Sequence, residues 1–219
     1  MKKIMFNDRY GLTDAVIEGR KTMTRRLIDP MPKDCASVHK NCWGADWSDE
    51  PMSLVVDRDT GGIYCKYCGN GVRLHDGGYH YKTKYEVGEV VAVAQSYEAA
   101  GFDPGYCIEG GQFAQKHAGW HNKMFVKPAL MSHRIRITGI KCERLQDISD
   151  EDCFREGISE SWYESTDTTT YGYADEKKGT AVEFDTPRKA FAALIDKVSG
   201  RGTWASNPWV VVYEFELVK

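Results

Sequence analysis

Hydrophobic and polar positions alternate along the chain with periods that predict both helices and strands. Apolar residues recur every three to four positions over residues 10–18, which predicts a short helix ended by Gly19. Short apolar runs predict a first strand at residues 4–6 and a second from residue 22 to residue 28. The chain therefore opens with a strand, a helix and a strand.

The same periodicities predict the core elements of the second half of the chain. Strands separated by helices and long crossings indicate an α+β fold, with a small mixed sheet or barrel and helices at its edges. The predicted strands are 87–93, 134–140 and 209–217, and the predicted helices run from Ser149 to Gly157 and from Pro187 to Gly200.

Three segments lack such periodicity. Residues 31–84 are predicted to be an inserted subdomain of short strands and turns, and the glycine-rich residues 99–123 a long loop. Residues 159–186 are polar and acidic and predict a flexible loop. Residues 144–186 hold twelve acids against four lysines and arginines, so their local charge is -8.

Size and charge limit the classes of function. A chain of 219 residues with 42% hydrophobic content predicts a single domain over 1–219. A net charge of -3 argues against a protein that coats nucleic acid, so any nucleic-acid contact is expected to be local. Neither a leader nor an apolar run near the roughly 18 residues of a membrane span is evident, which predicts a cytoplasmic protein without membrane contact.

Residues 19–26, here called the basic block, carry four cations and two hydroxyls beside a glycine. Arginine offers a planar fork for phosphate or carboxylate, lysine loses its proton when crowded by cations, and threonine donates, accepts or attacks. The glycine spacing excludes a P-loop. Two interpretations stay open, namely solvated charges on an exposed strand and a site for an anionic or polar ligand.

The cysteines suggest a metal site. Seven cysteines, an odd number with one Cys-x-x-Cys pair, favour reduced thiols or a metal over a disulfide framework. Two interpretations stay open, namely a structural zinc site in the insertion and unmetallated thiols. His39 is a substitute zinc ligand, and no organic cofactor is expected. The candidate zinc ligands are Cys35, Cys42, Cys65 and Cys68.

Three blocks of the sequence resemble the ASCH group of PUA-like domains, in particular the longer ASCH-like proteins of phages and prophages. They are the basic block, residues 143–158 and residues 207–210, in the family's order and spacing. The resemblance implies a PUA-like mixed β-barrel with peripheral helices, carrying the Cys-containing insertion. It also implies a pocket for RNA, modified bases or nucleotides beside the basic block.

Small bacterial ASCH proteins similar at the first block hydrolyse acetylcytidine with a lysine, a threonine and a glutamate. When the motif residues are matched to this sequence, the resemblance implies Lys21, Thr24 and Glu156 as catalytic residues. Glu151 is the alternative for the glutamate. The ligand-binding residues implied in the same block are Arg20, Thr22, Arg25 and Arg26.

Residues 21 and 24 point to opposite faces in a regular strand, so joint action requires a turn or bulge over 19–22. Gly88-Glu89 and Ala94-Gln95 stand where longer family members commonly have Gly-Asp and Arg-Glu, which suggests a different substrate. The leading expectation is a protein that binds RNA or a modified nucleoside. The alternatives are an amidohydrolase for N-acylated cytidine and a phage accessory protein that binds a host protein; the oligomeric state is open.

Overall fold

The structure, a computed structural model, describes residues 1–28, 54–57, 59–65, 82–108 and 111–218. In these residues the chain forms twelve strands and four α-helices, joined in places by short 3-10 turns. The strands are β1 (Lys3–Ile4), β2 (Met23–Leu27), β3 (Leu54–Val56), β4 (Ile63–Cys65), β5 (Val90–Val93), β6 (Cys107–Ile108), β7 (Gln112–Phe113), β8 (Arg134–Arg144), β9 (Ser159–Tyr163), β10 (Thr168–Asp175), β11 (Thr180–Phe184) and β12 (Trp209–Val218). The helices are α1 (Leu12–Ile17), α2 (Asp150–Arg155), α3 (Pro187–Ser199) and α4 (Thr203–Ser206).

Five strands form the central sheet in the order β1-β5-β8-β12-β2. β1 and β5 run parallel, and the other neighbours are antiparallel. The alternation in β8 explains its position, because Ile135 and Ile137 are fully buried while Arg134 and Arg136 are exposed. The α+β class predicted from the sequence is confirmed. Among the described strands this sheet is open, with β1 and β2 at its edges.

Helices α2 and α3 lie within one or two residues of the bounds that the sequence predicts. The Ser149 hydroxyl accepts a hydrogen bond from Asp152 N at 3.1 Å and caps α2. Thr186 caps α3 in the same way, and Pro187 occupies its first turn. Phe191, Leu194 and Ile195 then bury one face of α3 in the main core.

A second apolar cluster lies beside β5, in the region where the sequence predicts a long loop. Short strands β6 and β7 and several 3-10 turns fold around Tyr97, which is fully buried. The segment therefore has a small core of its own. The buried members of this cluster are Ala92, Ala94, Tyr97, Ile108, Ala114, Trp120, Val126 and Met131.

Residues 159–184 form an antiparallel sheet in the order β11-β10-β9, here called the acidic sheet. The prediction of a loop over 159–186 is therefore wrong in its secondary structure. The segment has low hydropathy, but the threonines and tyrosines of β10 favour strands. Arg9 ties this sheet to the turn before α1, with Nε 3.0 Å from Asp175 Oδ1.

Most of the predicted insertion at 31–84 lies outside the described residues, as do Cys35, His39, Cys42 and Cys68. The described part includes the hairpin of β3 and β4, which ends at the buried Cys65. In the described ranges, no three or more His, Cys, Asp or Glu side chains form a group able to hold a metal ion. Structural zinc stays a prediction.

Within the described residues, no helix is long and apolar enough to cross a bilayer.

Candidate functional site

The basic block begins as a turn and only then becomes a strand. Gly19 has a φ of 76°, a left-handed conformation that favours glycine. Lys21 N donates to Ala15 O at 2.8 Å, and Thr22 N donates to Arg155 O at 2.9 Å. Lys21 therefore precedes β2, so the alternation of a strand does not separate it from Thr24. The turn that joint action requires is present.

Lys21 is a buried cation held by a single glutamate. Its side chain is 2% exposed, and Nζ lies 2.6 Å from Glu156 Oε2 and 2.6 Å from Glu156 O. Burial lowers the pKa of Lys21, while the carboxylate of Glu156 opposes that shift. Arg25 and Arg26 lower the pKa of Lys21 further by repulsion. The ion pair is thus close-range, and the ammonium is destabilised by its surroundings.

Arg25 links three carboxylates from different parts of the chain. Its guanidinium donates to Glu143 Oε1 at 2.6 Å, to Asp152 Oδ2 at 2.8 Å and to Glu156 Oε1 at 3.1 Å. Burial disfavours the charge of Arg25, but these carboxylates outweigh burial and raise its pKa. The two oxygens of Glu156 therefore serve two cations, Lys21 and Arg25. Arg25, predicted to bind ligand, is occupied by internal ion pairs.

A cavity of about 260 Å³ lies against this charge cluster. Helix α3 provides much of its apolar wall, and the basic block provides its polar wall. Thr24 is 5% exposed, and within the described residues its hydroxyl makes no hydrogen bond. The polar lining residues are Asn7, Lys21, Thr24, Arg25, Arg26, Glu156 and Ser199, and the apolar ones are Phe6, Leu12, Leu27, Phe191, Leu194, Ile195 and Val198.

The other predicted site residues divide between the cavity and the surface. Arg26 lines the cavity and donates to Met5 O at 2.6 Å. Arg20 is exposed and pairs with Glu18, whereas Thr22 accepts a hydrogen bond from Arg155 Nε at 3.4 Å. The fallback residue Glu151 is exposed in the first turn of α2 and does not line the cavity. Among the candidates for the glutamate, the structure brings Glu156 to Lys21.

Sequence reasoning named Glu156 but missed the other two carboxylates behind Arg25, Glu143 and Asp152. Asp152 and Glu156 are four residues apart, a spacing that places both on one side of a helix and offers a signal. No local signal marks Glu143. Strands β8 and β2 both pair with β12, one on each side, and this arrangement brings Glu143 to Arg25. The apolar wall from α3 was also missed, since no local pattern shows which element covers a helix face.

A larger cavity of about 380 Å³ lies elsewhere, between the β3–β4 hairpin and the central sheet. Its charged lining residues are Asp57, Glu86, Lys141 and Glu214. Lys141 pairs with Glu143 at 2.8 Å, so the charge cluster behind the smaller cavity extends to this one. None of the predicted catalytic residues lines the larger cavity.

Comparisons with protein-family models, with curated proteins and with solved structures find no match for this chain. Its class is defined by fold and site together. It is an α+β protein with a small cavity whose polar wall combines the buried ion pairs of Lys21 and Arg25 with Glu156 and the half-buried Arg26.

Proposed function

We propose that the cavity beside the basic block binds a nucleoside, free or within RNA, and that the chain is an ASCH-type, PUA-like domain. The observation that carries the proposal is the convergence of Lys21, Thr24, Arg26 and Glu156 on one cavity opposite an apolar wall. A flat base needs such a site, because its faces are apolar and its edge carries hydrogen-bonding groups.

The size of the cavity favours a single nucleoside. Pockets for drug-sized ligands start at roughly 300 Å³, so a cavity of about 260 Å³ suits one base and its sugar better than a large metabolite. Phe6 and Leu194 contribute apolar surface to the lining. The PUA-like barrel is part of the proposal. It is supported by the mixed central sheet and by a cavity beside the basic block, where the resemblance places the pocket.

Thr24 and Asn7 are suited to reading the edge of the base. Both line the cavity, and within the described residues neither side chain makes a hydrogen bond. Lys21, Arg25 and Glu156 are fixed by one another and Arg26 by the Met5 carbonyl, so these charged groups present an ordered polar wall. Recognition by neutral hydrogen bonds therefore favours a base over a phosphate.

Calorimetric titration with cytidine, acetylcytidine, uridine and short RNAs tests this proposal. Thr24→Val keeps the shape of the side chain and removes the hydroxyl, so we expect affinity to fall roughly ten-fold, the value of one lost hydrogen bond. Thr180→Val is the matched control, because Thr180 is exposed at the start of β11. Indifference of the wild-type protein to all these ligands would reject the proposal.

A second candidate function is hydrolysis of an N-acylated cytidine, favoured by the shared location of Lys21, Thr24 and Glu156. Because burial lowers the pKa of Lys21, its amine is a candidate base for the Thr24 hydroxyl. The Thr24 oxygen then bonds to the amide carbon, the carbon–nitrogen bond breaks, and the leaving amine takes up the proton. Water releases the acyl group from Thr24 as a carboxylic acid.

Chromatography of acetylcytidine after incubation with the protein separates catalysis from binding. We expect turnover by the wild-type protein and none by Thr24→Val or Lys21→Met if the cavity is an amidase site. A wild-type protein that binds acetylcytidine but leaves it and other acylated nucleosides unchanged would eliminate the enzyme and retain the binding function.

A further inference from the structure

One short segment, residues 122–126, is held to the protein by the side chain of Lys3. Lys3 Nζ donates to three carbonyl oxygens of this segment: Lys123 at 3.3 Å, Met124 at 2.6 Å and Val126 at 2.9 Å. The Asn122 side chain accepts a hydrogen bond from Met124 N at 2.9 Å and caps the turn. The backbone of residues 122–126 is therefore fixed.

The side chain of Lys123 attaches the same segment to the cavity wall. Its Nζ donates to Phe6 O and lies 2.6 Å from Asp8 Oδ1, with Thr13 Oγ1 at 3.3 Å. Phe6 and its neighbour Asn7 line the cavity. The Lys123 side chain therefore ties the segment to a residue of the cavity lining.

This fixed backbone presents two large apolar side chains to solvent. Met124 is 62% exposed and Phe125 is 55% exposed, while the next residue, Val126, is buried. A single exposed apolar residue needs no explanation, but two adjacent ones on a backbone held by two lysines form a preorganised surface. We call Met124 and Phe125 the platform.

The charge around the platform indicates the partner. Residues 111–142 contain six lysines and arginines and no aspartate or glutamate. Met124 and Phe125 lie within this stretch. Lys123 pairs with Asp8 and Lys141 with Glu143, whereas Lys116, Arg134 and Arg136 are exposed, so these three offer positive charge to a partner. Flat apolar faces combined with negative charge are the chemistry of unpaired nucleotides, whose bases stack on aromatic side chains.

We propose that the platform stacks a base of single-stranded RNA while a neighbouring nucleotide enters the cavity. This inference rests on the proposed function and narrows it, because the ligand becomes a strand rather than a free nucleoside. Phe125 then contributes to affinity for RNA but not for a mononucleoside. The phosphates lie toward the cationic residues of 111–142.

Fluorescence anisotropy with an oligouridine of roughly 12 nucleotides, a length within the site sizes of single-strand binding proteins, tests the proposal. One stacked base contributes about 1–3 kcal/mol, so we expect Phe125→Ala to weaken binding at least about five-fold. Trp162→Ala is the matched control, because Trp162 is 61% exposed but lies in the acidic sheet. The control variant should bind like the wild-type protein.

The outcomes separate this inference from the proposed function. Equal affinity of Phe125→Ala and wild-type protein, or equal weakening by Trp162→Ala, would overturn the platform. Loss of uridine binding in Thr24→Val with unchanged RNA affinity of Phe125→Ala would keep the cavity and reject the platform. RNA binding that depends on Phe125 but not on Thr24 would keep the platform and reject the cavity. An oligodeoxythymidine of the same length shows whether the strand must be RNA.

Discussion

At the scale of single residues, Glu156 is the side chain on which the site depends most. It lies at the C-terminal end of α2, where its two carboxylate oxygens accept hydrogen bonds from Lys21 and from Arg25. Both cations are nearly inaccessible to solvent, at 2% and 0% side-chain exposure. Removing one partner of a buried ion pair leaves the other charge uncompensated, and this loss is larger than the net value of the pair.

Glu156→Gln is therefore expected to destabilise the protein by about 3–5 kcal/mol, the range for breaking a buried ion pair. Urea unfolding followed by circular dichroism measures the change. Glu151→Gln provides the control in the same helix, since Glu151 is exposed and its substitution should change stability by about 0.5 kcal/mol or less. Similar unfolding midpoints for the two variants would contradict the buried charge cluster.

The cysteines differ in environment and therefore in expected reactivity. Burial raises the pKa of Cys142 and of Cys153 to about 12, whereas Cys107 is exposed. The thiolate is the nucleophile in alkylation. At a pKa of about 12, only on the order of one in ten thousand of these thiols is ionised near pH 8. We expect iodoacetamide to modify Cys107 well before Cys142 or Cys153 in the native protein.

Peptide mapping by mass spectrometry resolves the sites. Labelling in denaturant is the control, since unfolding removes the burial that distinguishes the three thiols. Rapid native labelling of Cys153 would show that the contact between α2 and the core opens readily.

At the scale of elements, the acidic sheet is attached to the rest of the molecule by a buried carboxylate. Asp175 is 3% exposed and accepts hydrogen bonds from Arg9, which follows the first strand. These hydrogen bonds lower the pKa of Asp175 below its usual 3.8. The ionised form is thus favoured in the folded state, and the ion pair holds β10 against the turn before α1.

The lowered pKa gives a pH dependence with a definite sign. The stability from Asp175 is fully present above the unfolded value of 3.8 and is lost as the pH falls through the lower folded value. We expect Asp175→Asn to lower the melting temperature near neutral pH and to flatten its decline between about pH 4 and about pH 2. Thermal melts across this range measure both effects. Asp167→Asn, at an exposed turn, should leave the profile unchanged.

Local patterns predicted the elements that local forces define. The cap at Ser149 and the proline at position 187 gave α2 and α3 close to their observed bounds, and the alternation around Ile135 gave the start of β8. The acidic sheet was missed because the segment is polar overall and β9 is exposed throughout, even though Tyr173 of β10 is buried in the main core. Strand β9 is stabilised by pairing with β10, a contact between strands that hydropathy alone does not reveal.

The site was predictable in part for the same reason. The resemblance at the basic block pointed to Lys21 and Thr24, and in the structure Lys21 precedes β2 after the turn at Gly19, so that both residues line the cavity. The role of Arg25 was not predictable, since it depends on strand register across β12. Arg25, which the sequence suggests as a ligand-binding cation, instead forms buried ion pairs with three carboxylates.

At the scale of the whole molecule, the charges are segregated. Residues 111–142 carry only positive formal charges, whereas residues 159–186 carry seven acids and two lysines. The net charge of -3 conceals this division. A nucleic acid is therefore attracted to the first region and repelled by the second, so we expect an RNA contact to involve only a few phosphates.

This restriction sets the expected salt dependence of RNA binding. The affinity for a single strand varies with salt to the power of about -0.7 for each neutralised phosphate, so about three contacts predict a loss of roughly ten- to twenty-fold between about 50 and about 200 mM salt. Anisotropy titrations of the oligouridine at several salt concentrations measure this slope. A slope near zero would mean that binding is apolar and does not use the cations of 111–142. A loss of about a thousand-fold would require an extended cationic surface, which the acidic sheet and the negative net charge oppose.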